Sequence, residues 1–449
     1  MPFRIILTTA FCLGLGLAPA VWAEPFNLDQ AVQYALEHNP DLLAVREQVA
    51  AASGRAQTAA GARLPNLGMS YSARASNNPL DAFADKLNQQ RVATTDFDPA
   101  RLNHPGTSDL HMTQLALRLP VYSGGRLAAT AASAEEMEKN AGLQYERARE
   151  ITAFQARRAC LNLLAAQDGL VIAEDGAKAA QEHARTTGQL AREGRIVVSD
   201  KLTAEVNLAA MQSLREQAAT RLESARNQLK LTLGLPLDHE VTLAAAEGST
   251  ASTTASLAEI ESRALANRKD FSAARAMSQA TKARVQVARA AHKPNVDFIA
   301  SSNWYDDKPG FDSHSSSVMG VVSLDLYAGG KHQGEIATAL AEAKEMEWHV
   351  QSQEQAVRND VREAYENLRQ ANARHATAAD NVERARENVR LVKQRYGQGR
   401  TILIDLLQAE RAYTEARSEE LISRLNLEVG QSALQLAEGT LALPQETTP

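Results

Sequence analysis

Arg126–Gly188 reads RLAATAASAEEMEKNAGLQYERAREITAFQARRACLNLLAAQDGLVIAEDGAKAAQEHARTTG, and Lys331–Val392 reads KHQGEIATALAEAKEMEWHVQSQEQAVRNDVREAYENLRQANARHATAADNVERARENVRLV. Each is one uninterrupted helical pattern, about 95 Å long at 1.5 Å per residue. Of 14 prolines, none lies between Pro120 and Pro236 and none between Pro309 and Pro444. Proline breaks helix interiors, so such runs in Ala, Glu, Arg and Gln predict long helices. In the second copy Ala371, His375, Ala378, Val382, Ala385, Val389, Val392 and Tyr396 recur at alternating spacings of four and three. That is a coiled-coil seam with mostly small knobs, which lets helices approach closely.

Outward from these helices the chain reads twice. Asn39-Pro40 starts a helix, with asparagine as cap and proline in its first turn. After Pro65 the period changes from 3.6 to 2: Leu67, Met69, Tyr71 and Ala73 alternate with Gly68, Ser70, Ser72 and Arg74. This is a strand with one apolar face and one small or polar face. Ser76–Ser108 reads as a loop, and a second strand carries Leu115, Leu117, Leu119 and Val121 on one face. Leu28, Leu36 and Asp41 recur 229 residues later as Leu257, Leu265 and Asp270; Tyr122, Gly124, Gly125 and Arg126 recur 205 residues later as Tyr327, Gly329, Gly330 and Lys331. Constant offsets over many landmarks mean duplication.

The expected organisation is therefore a signal peptide at 1–23 and a first repeat at 24–256, with strands 66–75 and 110–122, long helix 126–190, turn 194–200 and return helix 200–233 capped by Ser199 or Asp200. A Ser/Thr/Ala-rich linker closes it. The second repeat, 257–449, has strands 295–305 and 317–327, long helix 331–393, turn 399–405, return helix 405–438 and a short tail. Helix lengths suggest that the first return helix stacks end to end with Lys269–Lys293, and the second with Pro40–Leu64.

Residues 1–23 carry Arg4, an apolar run and Val21-Trp22-Ala23, a secretory signal pattern. The net charge of -6, with acids and bases interleaved, leaves no nucleic-acid footprint. The expected mature chain holds one cysteine, Cys160, so no internal disulfide is possible. The ten histidines lack metal-ligand spacing, and the Gly-Gly pairs lack the dinucleotide and phosphate-loop patterns. No enzyme, cofactor or metal site is expected. No run of 18 apolar residues follows the signal, so any passage through a membrane must use strands. Four strands cannot close a membrane barrel, and open sheet edges in lipid are costly. Several chains must share one barrel. The fold class is mainly α with a β-barrel portion, four strands and long coiled-coil helices per chain. The alternative is a periplasmic coiled-coil scaffold or adaptor outside the membrane.

The duplication, the Leu28-x-x-Ala31 to Asn39-Pro40-Asp41-Leu42 opening, the Tyr-x-Gly-Gly-Arg/Lys junctions and the Gly194–Asp200 and Gly399–Asp405 turns together resemble the TolC family of outer-membrane efflux ducts. The resemblance implies a homotrimer: a twelve-stranded barrel in outer-membrane lipid, continued by an α-helical barrel in the periplasm. It implies a passive exit duct of a tripartite efflux or type I secretion system, carrying drugs, metals or proteins. Its partners would be a periplasmic adaptor (membrane fusion) protein and an inner-membrane pump of RND or ABC type. Gly194, Arg195, Ile196, Val197, Gly399, Arg400, Thr401 and Ile402 match the adaptor-docking tips. Asp405 matches a lumen-facing aspartate at the periplasmic gate, Tyr396 a gate tyrosine and Asp200 the aspartate that holds it. The chain departs from that pattern at Gln408, where a second acidic ring is found, and at Thr401, where a gate arginine is found. Helix capping is the alternative role for Asp405.

Overall fold

In the computed structural model, described over residues 26–244 and 255–444, the main helices of the two repeats match exactly in length. Helices α1 (Leu28–His38) and α7 (Leu257–Asn267) have 11 residues each; α2 (Pro40–Gly61) and α8 (Lys269–Ala290) have 22. The long helices α5 (Arg126–Arg192) and α9 (Lys331–Gly397) have 67, and the return helices α6 (Val198–Leu233) and α10 (Leu403–Glu438) have 36. The expected signal peptide, most of the linker and the end of the tail lie outside the described residues.

Strands β1 (Asn66–Ser76), β2 (Ser108–Tyr122), β3 (Asn295–Asp306) and β4 (His314–Ser323) form one antiparallel sheet in that order. The registers Met69↔Leu115, Leu115↔Ser302, Leu117↔Ala300 and Ala300↔Val318 line up a single face. Leu67, Met69, Tyr71, Leu117, Leu119, Phe298, Val318 and Val322 share it, because side chains alternate strictly along a strand. The opposite face carries Ser70, Gln114, Ser301 and Ser317, with the Ser301 and Ser317 hydroxyls 2.9 Å apart and Arg118 paired to Asp297 at 3.0 Å. The first face is mostly apolar; the second is mixed, since the same registers also put Met112, Ile299, Met319 and Val321 on it.

The structure corrects four expectations. First, β4 is His314–Ser323, not 317–327. The equivalent end of β2 pairs with β3, but β4 is an edge strand with no further partner among the described residues; Leu326 and Tyr327 are 90% exposed. Second, Ser76–Ser108 is largely helical: α3 (Pro79–Asn88), a 3₁₀ turn (Thr94–Phe97) and α4 (Pro99–Asn103). Asn78 caps α3 by accepting from the Leu80 amide, and Asp98 caps α4 from the Ala100 amide. Third, the return helices begin at Val198 and Leu403, and neither Ser199 nor Asp200 is the cap; Val197 is, without a side-chain hydrogen bond.

Fourth, the end-to-end stacking is the other way round. The last turn of α6 meets the start of α2, where the Asn39 side-chain amide donates to the Thr232 carbonyl at 2.8 Å. The end of α10 meets the start of α8, where a Cβ on Gly439 would lie 3.1 Å from the Arg268 amide. Buried Arg268 there pairs with Asp270 at 2.6 Å and Asp360 at 2.8 Å. The tip half is therefore a layer ordered α6-α5-α10-α9, and the half nearer the sheet is ordered α2-α5-α8-α9. The α9 seam packs on α10, with none of its eight residues exposed and His375 Nδ1 3.4 Å from the Ser423 hydroxyl. Cys160 is buried in the α5 core, and burial pushes its thiol up to about 12.

The stacking contact yields a test. Gly234 has φ +75°, and a Cβ there would come within 2.5 Å of the His38 carbonyl oxygen. Gly194 has φ +68° but open space around it. Gly194→Ala should cost about 1 kcal/mol, the left-handed backbone penalty alone. Gly234→Ala should lower the thermal midpoint of helix unfolding by clearly more, because the stacked helices must separate.

Candidate functional site

The turns at the far ends of the long helices are built identically. Gly194 and Gly399 sit at φ +68° and +67°. The Arg195 amide donates to the Leu190 carbonyl at 2.9 Å and the Gly194 amide to Ala191 at 3.1 Å; the Arg400 amide donates to Arg395 and the Gly399 amide to Tyr396, both at 2.9 Å. This pairing closes a helix with a left-handed residue after its cap, which glycine adopts without a Cβ penalty. The reversal leaves branched apolar side chains in the open: Val197 is 62% and Ile402 64% exposed. Ile196 and Thr401 are half-buried, while Arg195 and Arg400 are exposed.

One turn inside these tips the two repeats touch. Tyr396 of α9 and Ala184 of α5, both half-buried, pack against a buried cluster of Ala204 of α6 and Leu403 and Leu407 of α10. All four tip helices thus contribute to one apolar cluster. Burial raises the Tyr396 phenol above its ordinary value, and the Asp200 carboxylate beside it adds to the rise. The structure therefore brings Asp200 and Tyr396 together across repeats. Asp405 lies in the first turn of α10, exposed, and accepts a hydrogen bond from the Thr401 hydroxyl. Gln408, one turn on and likewise exposed, shares its side of the helix.

Sequence reading missed a set of cross-repeat polar pairs just above this cluster. His183 Nε2 lies 2.9 Å from the Glu410 carboxylate, Arg417 pairs with Asp175 at 2.9 Å and Arg424 with Asp168 at 2.9 Å. The signal was present: Asp168 and Asp175 are seven residues apart, as are Arg417 and Arg424. Arg411 also reaches Asn207 of α6 at 3.4 Å. Among the described residues no group of three or more His, Cys, Asp or Glu side chains could hold a metal ion, and no helix is long and apolar enough to cross a membrane.

A model of the outer membrane efflux protein family matches residues 31–235 and 260–440, one span in each repeat. The chain belongs to the outer membrane efflux protein family. Its members are transport conduits of the outer membrane, not enzymes. Comparison with curated protein sequences finds no significant match. Among solved structures, the chain is similar to the CmeC outer membrane channel of Campylobacter jejuni: TM-score 0.81, 17% identity, covering 94% of this chain and 87% of that one. It is similar to the outer membrane protein VceC of Vibrio cholerae at TM-score 0.77 and 18% identity, over 92% of this chain and 96% of that one. It also resembles the open state of the MtrE outer membrane channel of Neisseria gonorrhoeae, at TM-score 0.74 and 18% identity, over 94% and 91%. At these identities the likeness is one of fold: a mostly helical chain with a small antiparallel sheet.

The four-helix cluster predicts a split between two variants. Tyr396→Phe keeps the ring and the packing, so the tips should resist limited proteolysis as the parent does. Tyr396→Ala leaves a hole where a buried aromatic edge was, so cleavage near 190–200 and 395–405 should accelerate.

Proposed function

We propose that three copies of this chain form a passive exit duct of a tripartite efflux or type I secretion system, with a twelve-stranded barrel in the outer membrane and a helical tunnel in the periplasm. The carrying observation is the sheet: four strands, one mostly apolar face, a second face that carries Ser70, Gln114, Arg118, Asp297, Ser301 and Ser317 among fewer apolar residues, and edges at β1 and β4 without a partner among the described residues. In lipid every backbone group needs a partner, so β4 of one copy pairs with β1 of the next until the barrel closes. The mostly apolar face then meets lipid and the second face lines a water-filled lumen. A helix of 67 residues carries the tunnel about 100 Å away from the membrane, at 1.5 Å per residue.

At the far end, Gly194–Val197 and Gly399–Ile402 dock a periplasmic adaptor. Exposed Val197 and Ile402 offer apolar anchors on rigid, glycine-closed turns. The adaptor connects the duct to an inner-membrane pump of RND or ABC type, and the pump selects the cargo. Asp405 faces the lumen, so three copies make an acidic ring that attracts cations and repels anions. Asp200 and Tyr396 hold the gate, and burial of the Tyr396 ring supports that role. With Thr401 in place of an arginine, the Asp405 carboxylate takes a hydroxyl partner instead of an ion pair. With Gln408 in place of an acid, there is one acidic ring and not two.

Reconstituted in planar bilayers, the protein should form cation-preferring channels that multivalent cations block. Asp405→Ala should reduce that block and the cation preference while leaving channel formation intact. Unchanged block would make Asp405 a first-turn helix residue without a gating role. Failure to form any channel would remove the duct reading itself.

A further inference from the structure

The two repeats differ most at the end of the sheet away from the long helices. A shift of 229 residues relates them before the strand-to-strand loops and one of 205 after, so the first loop is 24 residues longer. The second repeat turns within 307–313, whereas the first builds α3, the 3₁₀ turn and α4. That insertion is a fastened cap and not slack chain. Arg74 of β1 holds it through buried Asp85 at 2.6 Å. The side-chain amide of buried Gln89 donates to the Asp109 carbonyl of β2 at 2.9 Å, and the Ser313 hydroxyl donates to the Gln89 carbonyl at 2.8 Å. Buried, hydrogen-bonded polar groups of this kind fix one shape.

Between the cap and the β3–β4 turn lies a cavity of about 520 Å³, the size of a small-ligand site. The cations Lys86, Arg91, Arg101 and Lys308 line it, together with the acids Asp96, Asp109 and Asp307. Lys86 pairs with Asp96 at 2.6 Å and Arg91 pairs with Asp307. Arg101 and Lys308 are exposed and have no ion pair among the described residues, and neither has Asp109. Arg101 comes from α4 and Lys308 from the β3–β4 turn, so the two cations stand on walls built by different repeats. Phe83, Leu102 and Pro105 add apolar lining.

An arginine fork and a lysine ammonium without carboxylate partners complement a phosphate. A bare phosphate is repelled by the Asp109 carboxylate. A sugar is not, because a carboxylate accepts hydrogen bonds from hydroxyls and apolar side chains cover the C–H faces of the ring. We infer that the cap cavity binds a phosphorylated sugar, with its phosphate on Arg101 and Lys308 and its hydroxyls on Asp109. The cavity lies within one chain and does not need the trimer; only its place outside the cell rests on the duct reading. There the sugar phosphate is the headgroup of an outer-leaflet lipid or a soluble molecule.

Isothermal titration calorimetry of the full detergent-solubilised protein tests it, with glucose 6-phosphate, glucose, inorganic phosphate and lipid A, a bisphosphorylated glucosamine disaccharide lipid, all in neutral detergent. A sugar phosphate should bind once per chain, more weakly as salt is raised. Glucose should bind far more weakly. Arg101→Gln with Lys308→Gln should weaken the sugar phosphate about tenfold or more, the scale of one charge-assisted hydrogen bond, with the thermal midpoint unchanged. Asp109→Ala should weaken glucose 6-phosphate but strengthen inorganic phosphate. Saturable binding of lipid A alone supports the lipid as source, and saturable binding of glucose 6-phosphate supports the soluble one. Saturable binding of neither would overturn the inference. So would binding unmoved by the Arg101 and Lys308 substitutions, or inorganic phosphate bound as tightly as the sugar phosphate. None of these readouts requires channel formation, so they judge the cavity apart from the duct.

Discussion

Everything in this chain depends on the two unpaired edges of a four-stranded sheet. β1 and β4 present rows of backbone donors and acceptors along an apolar face. An unpaired group in hydrocarbon costs several kcal/mol. Water could satisfy the edges, but not the greasy face beside them. A chain that builds Leu67, Met69, Tyr71, Val318 and Val322 onto the same side of an open sheet has a stable home only where copies complete one another in lipid. The short β4 fits this view. Its continuation past Ser323 stays irregular in the single chain, where its outer side has no partner.

The helices answer a different constraint, which is distance. Two 67-residue helices span it without interruption, while the other two columns are assembled from 36- and 22-residue pieces joined at the waist. The joints explain the local chemistry there. Gly234 and Gly439 close their helices in the left-handed conformation and let the next helix start against bare backbone. The joints differ in charge: Asn39 serves one with its side-chain amide, and the Arg268 guanidinium serves the other by pairing with the carboxylates of Asp270 and Asp360. Small knobs such as Ala371, Ala378 and Ala385 keep neighbouring columns close, so the layer is thin.

Much of this was legible in the sequence because periodicity and proline punctuation are local signals. The duplication, the long helices, the alternating strands and the Gly194 and Gly399 turns all announce themselves within short windows. The errors were failures of long-range inference. α2 and α8 have equal lengths, so length alone does not say which one follows α6; contacts such as that of Thr232 with Asn39 do. The composition of Ser76–Ser108 suggests a loop, although Asn78-Pro79 and Asp98-Pro99 repeat the capping signal of Asn39-Pro40. At the tip, the site residues came from family resemblance. The Asp168–Arg424 and Asp175–Arg417 pairs needed the α5–α10 seam to be known first.

The mass of the mature protein, extracted from outer membranes in detergent and corrected for bound detergent, tests the shared barrel most directly. The account predicts a mass near that of three chains, with mixed helix and strand signals in circular dichroism, and no release from membranes without detergent. A monomer released by salt or alkali alone would mean that the strands are not in lipid, and would contradict the account.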